Sequence, residues 1–369
     1  MALTIQDRNV IETATHKAFY ENIFPKLKHI EGKGVVEKFL ATDDPTRCNE
    51  ISVPRVLPTK PNFRKLGASN NGGWLNEHNY NGGSIVESTA YNILLNYIFD
   101  ETTELPYSLV TSNDVDFKNA LQSSIIDCFA TTINTFTWAS QLSKFFADST
   151  DVSSIYVYDG AKVTAAQAFC DANADLSNGC IEIGAFAVPY DKRQAFVSTK
   201  LNSALKSQYS TNASDLAVMI NSTGFVNPFT QTEGKRVDSS TGLCGLYDGV
   251  VMTLWTTAEI ENVKSCLGAS GTTSTAIDKI QGMIVYGDAT IRGVAGVNVE
   301  VNENPVQYKS LIFKPYAKFG VGVLSGKSIK LIANSAITTD ELTALKKLAV
   351  VDCLESNGDG ESYAKRRAA

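Results

Sequence analysis

Histidine is close to absent from this chain: three in 369 residues, at positions 16, 29 and 78. That scarcity removes most routes to imidazole acid–base catalysis and to a histidine-built metal centre. The seven cysteines stand at 48, 128, 170, 180, 244, 266 and 353, an odd total with no C-x-x-C pair. Neither a disulfide framework nor a zinc ribbon has that spacing, so free thiols in a reducing compartment are expected. No charge sign dominates. The 33 Lys and Arg face 39 Asp and Glu, a formal charge of −6, which argues against a nucleic-acid coat. Long apolar runs are missing too. Asp7, Arg8 and Glu12 break the opening residues, so no signal-peptide core is expected there. The most apolar stretch, 128–143, is diluted by Ser, Thr and Asn and falls short of the roughly 20 residues that span a bilayer. A soluble, cytoplasmically made protein without a membrane partner is expected.

What is present suffices for a sizeable core, with 43% apolar and 20% charged residues. At roughly 150 residues per domain the length fits two to three structural units. Residues 6–20 read as a short helix, and Lys26, Lys28, His29, Lys33 and Lys38 follow as a basic stretch diluted by Glu31 and Glu37. Residues 48–57 read as a strand, demoted afterwards by Pro54, Pro58 and Pro61. Two clusters, Asn70-Asn71-Gly72-Gly73-Trp74 and Asn79-Tyr80-Asn81-Gly82-Gly83, tolerate positive φ and suit a flexible tip. From Ile85 to Phe99 apolar and aromatic residues share one parity, as one face of a strand does. Together these pieces predict a long two-stranded excursion.

The clearest helix is 113–146. Asp114 and Asp116 favour its first turn, and Phe117, Leu121, Ile125, Phe129, Ile133 and Phe136 draw one stripe. Such a helix runs roughly 50 Å at 1.5 Å per residue, which demands a long partner surface. A coiled coil is the competing reading, but Ser, Thr and Asn occupy the positions that charges would take. Beyond 151 the pattern mixes helices and strands. Ala165, Phe169, Ala172 and Leu176 outline a helix, 180–188 a buried strand, and Pro189 a helix carrying Val197, Leu201 and Leu205. Residues 207–245 read as loops, 250–254 as a strand and 268–275 as a linker. The strands 283–286, 297–301, 309–313, 319–323 and 329–333 follow. A last helix opens at the capping box Thr338-x-x-Glu341 and carries Leu342, Leu345, Ala349 and Cys353 on one face.

Chemistry is scarce. The segment Gly320-Val-Gly-Val-Leu-Ser-Gly-Lys-Ser328 resembles a phosphate loop, but Gly322 leaves three residues before Gly-Lys-Ser and Gly320 leaves five, where the loop needs four. Flanked by strand-like sequence, it reads as a hairpin turn. Asp43-Asp44 beside Pro45 reads as a turn, not as paired catalytic acids. No catalytic residue, metal ligand or cofactor site emerges, and the chain is expected not to be an enzyme. Trp74, with Arg64, Lys65 and Tyr80 around it, has the composition of an inter-subunit contact: an aromatic anchor and a polar rim.

The order of parts, an arm, an extended hairpin, a long amphipathic helix, an α/β region and closing strands, resembles the Hong Kong 97 fold of tailed-phage major capsid proteins. Local phrases resemble it too: Gly242-Leu-Cys-Gly-Leu-Tyr-Asp-Gly-Val-Val251 is like that family's apical glycine-led strand, and 298–305 with 306–333 is like its closing strands. The resemblance covers about 1–335. It implies an α+β fold with an N-terminal arm at 1–45, an extended loop at 46–105 and a peripheral domain with its spine helix at 106–150 and 306–335. The apical domain then occupies 151–305, with a helix and tail at 336–369 that are extra to the pattern. It further implies a virion protein assembled in the bacterial cytoplasm as hexamers and pentamers of an icosahedral shell. Portal, scaffolding and decoration proteins are the implied partners, with packaged double-stranded DNA held without sequence-specific contact. The lysine, asparagine and glutamate of cross-linking members have no match here, so cross-linking is not carried over. The alternatives are an encapsulin-like compartment shell, or a ligand-binding module or enzyme with its site in 207–245.

Overall fold

The computed structural model describes residues 38–40, 50–56, 88–100, 103–106, 115–159, 162–177, 188, 192–207, 243–303, 310–348 and 354–355. The expected helix at 6–20, the strand at 180–188 before Val188, and the tail lie outside the described residues, as does the loop region 208–242. The stripe in 113–146 does form a helix, α1 (Val115–Asp148), 34 residues long. Of the stripe residues, Phe129, Ile133 and Phe136 are buried. So are Asn134, Thr137, Ser140, Gln141 and Ser143, so the C-terminal half is buried on every side. Thr137 Oγ1 bonds back to the helix, donating to the Ile133 carbonyl at 2.7 Å, whereas the Ser140 hydroxyl has no partner among the described residues. Among the described residues, α1 packs on sheet strands and on the short helix Thr257–Leu267, not on a second long helix.

The first strands are β1 (Lys38–Leu40), β2 (Glu50–Val56), β3 (Ser88–Leu94), β4 (Tyr97–Asp100) and β5 (Thr103–Pro106). β2 and β3 pair antiparallel from Glu50↔Leu94 to Val56↔Ser88, so the chain leaves and re-enters this pair at the same end. The alternating run from Ile85 to Phe99 is not one strand. β3 belongs to a three-stranded sheet, whereas β4 joins a different one. Parity survives the two-residue break at Leu95-Asn96, so alternation could not mark the change of partner.

Next come β6 (Ile155–Val157), α2 (Ala165–Ser177), β7 (Arg193–Ser198), α3 (Thr199–Ser207), β8 (Leu243–Tyr247) and β9 (Val250–Trp255). The helix expected from Pro189 through Val197 is corrected. Val197 lies in β7, whose six residues are all buried, and the helix begins only at Thr199. A strand covered on both faces shows no alternation, and the four-residue steps Val197, Leu201 and Leu205 straddle two elements. Ser198 Oγ accepts the Leu201 N–H at 3.1 Å and starts α3.

Then follow α4 (Thr257–Leu267), α5 (Thr272–Lys279), β10 (Ile280–Tyr286), β11 (Thr290–Glu303), β12 (Ser310–Val323), β13 (Ile329–Ala333), α6 (Thr339–Leu345) and β14 (Leu354–Glu355). The expected linker at 268–275 is half helix, because burial of Ala276 and Ile277 overrides the weak propensity of its threonines. The segments 309–313 and 319–323 belong to the single strand β12, and Pro315 between them explains the misreading. β5 pairs Ser310–Phe313 and β4 pairs Tyr316–Phe319, so the proline, which lacks an N–H, falls where the neighbour changes. The last helix ends at Leu345, followed by turn bonds to Leu348, short of the expected Cys353.

Three sheets result, in an α+β architecture. A ladder runs β1-β11-β12-β4 with β5 also on β12, a six-stranded mixed sheet runs β6-β13-β10-β7-β9-β8, and the third is β14-β3-β2. The antiparallel pair β11–β12 extends from Thr290↔Val323 to Glu303↔Leu311. At 14 residues each, these strands are roughly 45 Å long. Sheet membership cuts across the expected divisions, since Thr290–Glu303 joins the ladder and Ile329–Ala333 the six-stranded sheet.

Helix α6 is docked by one ion pair. Lys279 Nζ donates to both oxygens of Glu341 at 2.7 and 2.8 Å, and Glu341 also closes the capping box with Thr338. The hydrogen bond from Lys279, then that from the Thr338 backbone, hold the Glu341 carboxyl below its usual range. A depressed carboxyl contributes stability that is present above an unfolded pKa of about 4.3 and lost as pH falls through the folded value. Glu341→Gln keeps the box but removes the charge. It is expected to cost less than about 1 kcal/mol at pH 7, read as a modestly lower Tm, with the deficit vanishing at acid pH in calorimetry.

Candidate functional site

The residues expected to form the inter-subunit contact, Arg64, Lys65, Trp74 and Tyr80, all lie outside the described residues. What is described is the β2–β3 pair that flanks their segment, and the body of the chain. The centre of that body is the C-terminal half of α1. Phe136 meets Tyr97 of β4 at 4.1 Å and Phe319 of β12 at 5.3 Å between ring centroids, with Phe129 alongside Phe319 at 6.4 Å. Trp138 meets Phe196 of β7 at 5.5 Å and Trp255 of β9 at 5.9 Å. Two residues along a helix turn the direction by roughly 200°, so one helix closes the ladder core on one side and the six-stranded core on the other.

The Gly326-Lys327-Ser328 segment does not form a hairpin turn. β12 and β13 belong to different sheets, and the connection between them forms a short 3₁₀ turn, Gly326–Ser328, against the end of α1. The Gly326 N–H donates to Asp148 Oδ2 at 2.7 Å. Lys144 Nζ lies 3.3 Å from Asp148 Oδ1. A crevice of about 210 Å³ opens there between Asp148, Asp151, Lys327 and Lys330. It faces the carbonyl end of a helix and two carboxylates, the opposite of the N-terminal amide cradle that binds phosphate. The Ser153 hydroxyl, then its backbone N–H, hold Asp151 below the usual carboxyl range, and Lys330 pairs with Asp175.

A second polar knot secures the far edge of the six-stranded sheet. Arg193, 4% exposed, donates from Nη1 to Asn173 Oδ1 at 2.7 Å and from Nε to the Val188 carbonyl at 3.1 Å. Asn173 Nδ2 in turn donates to Asp248 Oδ2 at 2.8 Å. Asp248 and Gly249 both have positive φ, 46° and 75°, in the two-residue turn of the β8–β9 hairpin. The Asn173 contact therefore secures the residue that the turn strains.

Reactive chemistry is held down in the described residues. Burial first, then the Asp248 and Asp171 charges, push the Cys170 thiol up to about 11, and burial raises Cys266. Thiols so shifted stay protonated and unreactive. Cys128, Cys170 and Cys266 are free, as expected from the spacing. Burial draws the Lys264 ammonium down, but hydrogen bonds to Asp278 and Glu261 outweigh it, and the net shift is upward. It stays a cation, not a nucleophilic amine. Among the described residues no three His, Cys, Asp or Glu are grouped to hold a metal ion, and no helix is long and apolar enough to cross a membrane.

Sequence reasoning missed Gln141, Asp148 and Gly326 as the points where the elements meet. One signal was legible: an aspartate closing a long helix opposes the dipole, which marks it as held there by a specific partner.

No family model and no curated protein sequence matches the chain. Among solved structures, it is similar to a capsid structure of the cyanophage P-SCSP1u, at 12% identity and a TM-score of 0.44, covering 81% of this chain and 86% of that one. The mature capsid of bacteriophage PhiM1 is similar at 12% identity and a TM-score of 0.43, covering 83% and 87%. A virus-like particle from Pyrococcus furiosus is similar at 9% identity and a TM-score of 0.42, covering 90% and 100%. At these identities and TM-scores the likeness assigns neither family nor activity.

A Cβ on Gly326 would stand 2.8 Å from the Asp148 Cβ and 2.9 Å from the Lys144 carbonyl oxygen. Helix backbone cannot yield cheaply, so Gly326→Ala is expected to lower stability by about 1–3 kcal/mol in denaturant unfolding.

Proposed function

We propose that this chain is a structural major capsid protein with a Hong Kong 97-like fold, self-assembling into the icosahedral head of a tailed double-stranded DNA phage. The observation that carries the reading is α1, a 34-residue helix whose opposite faces serve two sheets, beside the β2–β3 pair that leads out into residues 57–87. A shell subunit needs a stiff span and a reach toward its neighbours; α1 supports the first, and the β2–β3 pair stands at both ends of the segment assigned to the second. In this reading 1–45 is the arm, and β2–β3 with 57–87 forms the extended loop. α1 with the ladder is the peripheral domain, the six-stranded sheet is the apical domain, and 336–369 is an added helix and tail. Copies of the chain are its main partners, in hexamers and pentamers, with portal, scaffolding and decoration proteins and packaged DNA as further ones. Shell building calls for no catalytic residue and no cofactor. Symmetric, repeated contacts let individually weak interfaces suffice.

The test is electron microscopy and sedimentation of the purified chain at rising concentration, with a scaffolding protein supplied where assembly requires one. Rings or closed shells are expected. A strictly monomeric profile at all concentrations and salts refutes the reading. Shells that hold double-stranded DNA in the native host support the phage head, and shells that hold protein cargo point to an encapsulin-like compartment. Trp74→Ala sharpens the test. Burying that side chain against a neighbour contributes about 2 kcal/mol or more per contact, so the variant is expected to unfold like the parent yet assemble poorly. Unfolding of the monomer with assembly spared would make Trp74 a core residue instead.

A further inference from the structure

Three chain crossings between the six-stranded sheet and its neighbours converge on the last two turns of α1. The chain leaves β10 for the ladder through the 3₁₀ turn Gly287–Ala289, and it returns to β13 through Gly326–Ser328. The third crossing, from α1 to β6, starts at Asp148 itself. The first two are tied to each other, since the Leu324 N–H donates to the Ala289 carbonyl at 2.8 Å. Each is also tied to α1. Gln141 Nε2 donates to Thr290 Oγ1 at 3.1 Å, and Asp148 Oδ2 accepts the Gly326 N–H. Gln141 and Asp148 are seven residues apart, which puts them on one stripe of the helix, two turns from each other.

Gln141 is 0% exposed, and its Oε1 has no hydrogen-bond partner. An apolar residue would serve burial better at that position, so a glutamine there costs stability that only its positional bond to Thr290 repays. A buried polar contact of this kind specifies register more than it adds stability.

We propose that Gln141 and Asp148 form a latch: they hold the two crossings to one face of α1, at the end of the helix on which both sheets pack. The latch belongs to the single chain and stands independently of the shell.

The test is hydrogen exchange with mass spectrometry on the full, unassembled chain. Asp148→Ala removes one acceptor, while Asp148→Asn keeps an oxygen for Gly326. Thr290→Val removes the hydroxyl with little change of shape, while Thr290→Ser retains it. In Asp148→Ala and Thr290→Val, exchange at 287–291 and 324–329 is expected to rise about tenfold, while 283–286 and 331–333 keep their protection. Asp148→Asn and Thr290→Ser should exchange like the parent. Unchanged exchange at the crossings, or an equal rise throughout both sheets, overturns the latch. If Asp148→Ala does not fold, the Thr290 pair decides alone. Assembly is no part of the readout, so failure of the latch and failure of the shell reading are separable.

Discussion

Phe136 and Trp138 stand on opposite sides of α1, and each packs against a different sheet. Aromatic side chains of this size bury roughly 150–250 Å² apiece, so the helix cannot withdraw from either sheet without exposing a large apolar surface. The ladder and the six-stranded sheet are therefore not two domains joined by a linker. They share a wall. Every other feature of the body is arranged around that wall: the crossings gather at its end, and α4 lies beside it.

On a helix packed between two sheets, the polar residues of the C-terminal half are largely buried. The Thr135 and Ser140 hydroxyls have no hydrogen-bond partner among the described residues, whereas Thr137 bonds back to a helix carbonyl. Gln141 cannot do this and reaches across to Thr290. Charges stay at the periphery of the sheets, each with a carboxylate within reach: Lys192 with Asp288, Lys264 with Asp278, Lys330 with Asp175. Arg193, deep in the sheet, uses carbonyls and an amide instead of an acid.

Helix α1 was legible because a stripe of six apolar residues has no other periodic explanation, and α6 because its capping box is a short-range code. The antiparallel β2–β3 pair followed from alternation and turn residues. Elements fixed by tertiary burial were not legible. β7 is covered on both faces and shows no period, α5 is made of threonines and is helical only because Ala276 and Ile277 are covered, and β12 absorbs a proline at a change of neighbour. The hub at Gln141, Asp148 and Gly326 joins residues far apart in sequence, and no local pattern announces such a meeting. The contact candidates Arg64, Lys65, Trp74 and Tyr80 rest on composition and resemblance.

The interleaving of the sheets also dictates when the chain can fold. β6 closes on β13 about 170 residues later, and β1 waits even longer for β11. The ladder hairpin is inserted between β10 and β13, which are themselves neighbours in the other sheet. At ribosomal rates of about 5–20 residues per second, β6 remains an unpaired edge for roughly ten to thirty seconds. Contacts of such long sequence separation make folding slow, and exposed edges invite pairing with other chains in the meantime. The last strand that β6 needs is complete only once residue 333 has left the exit tunnel.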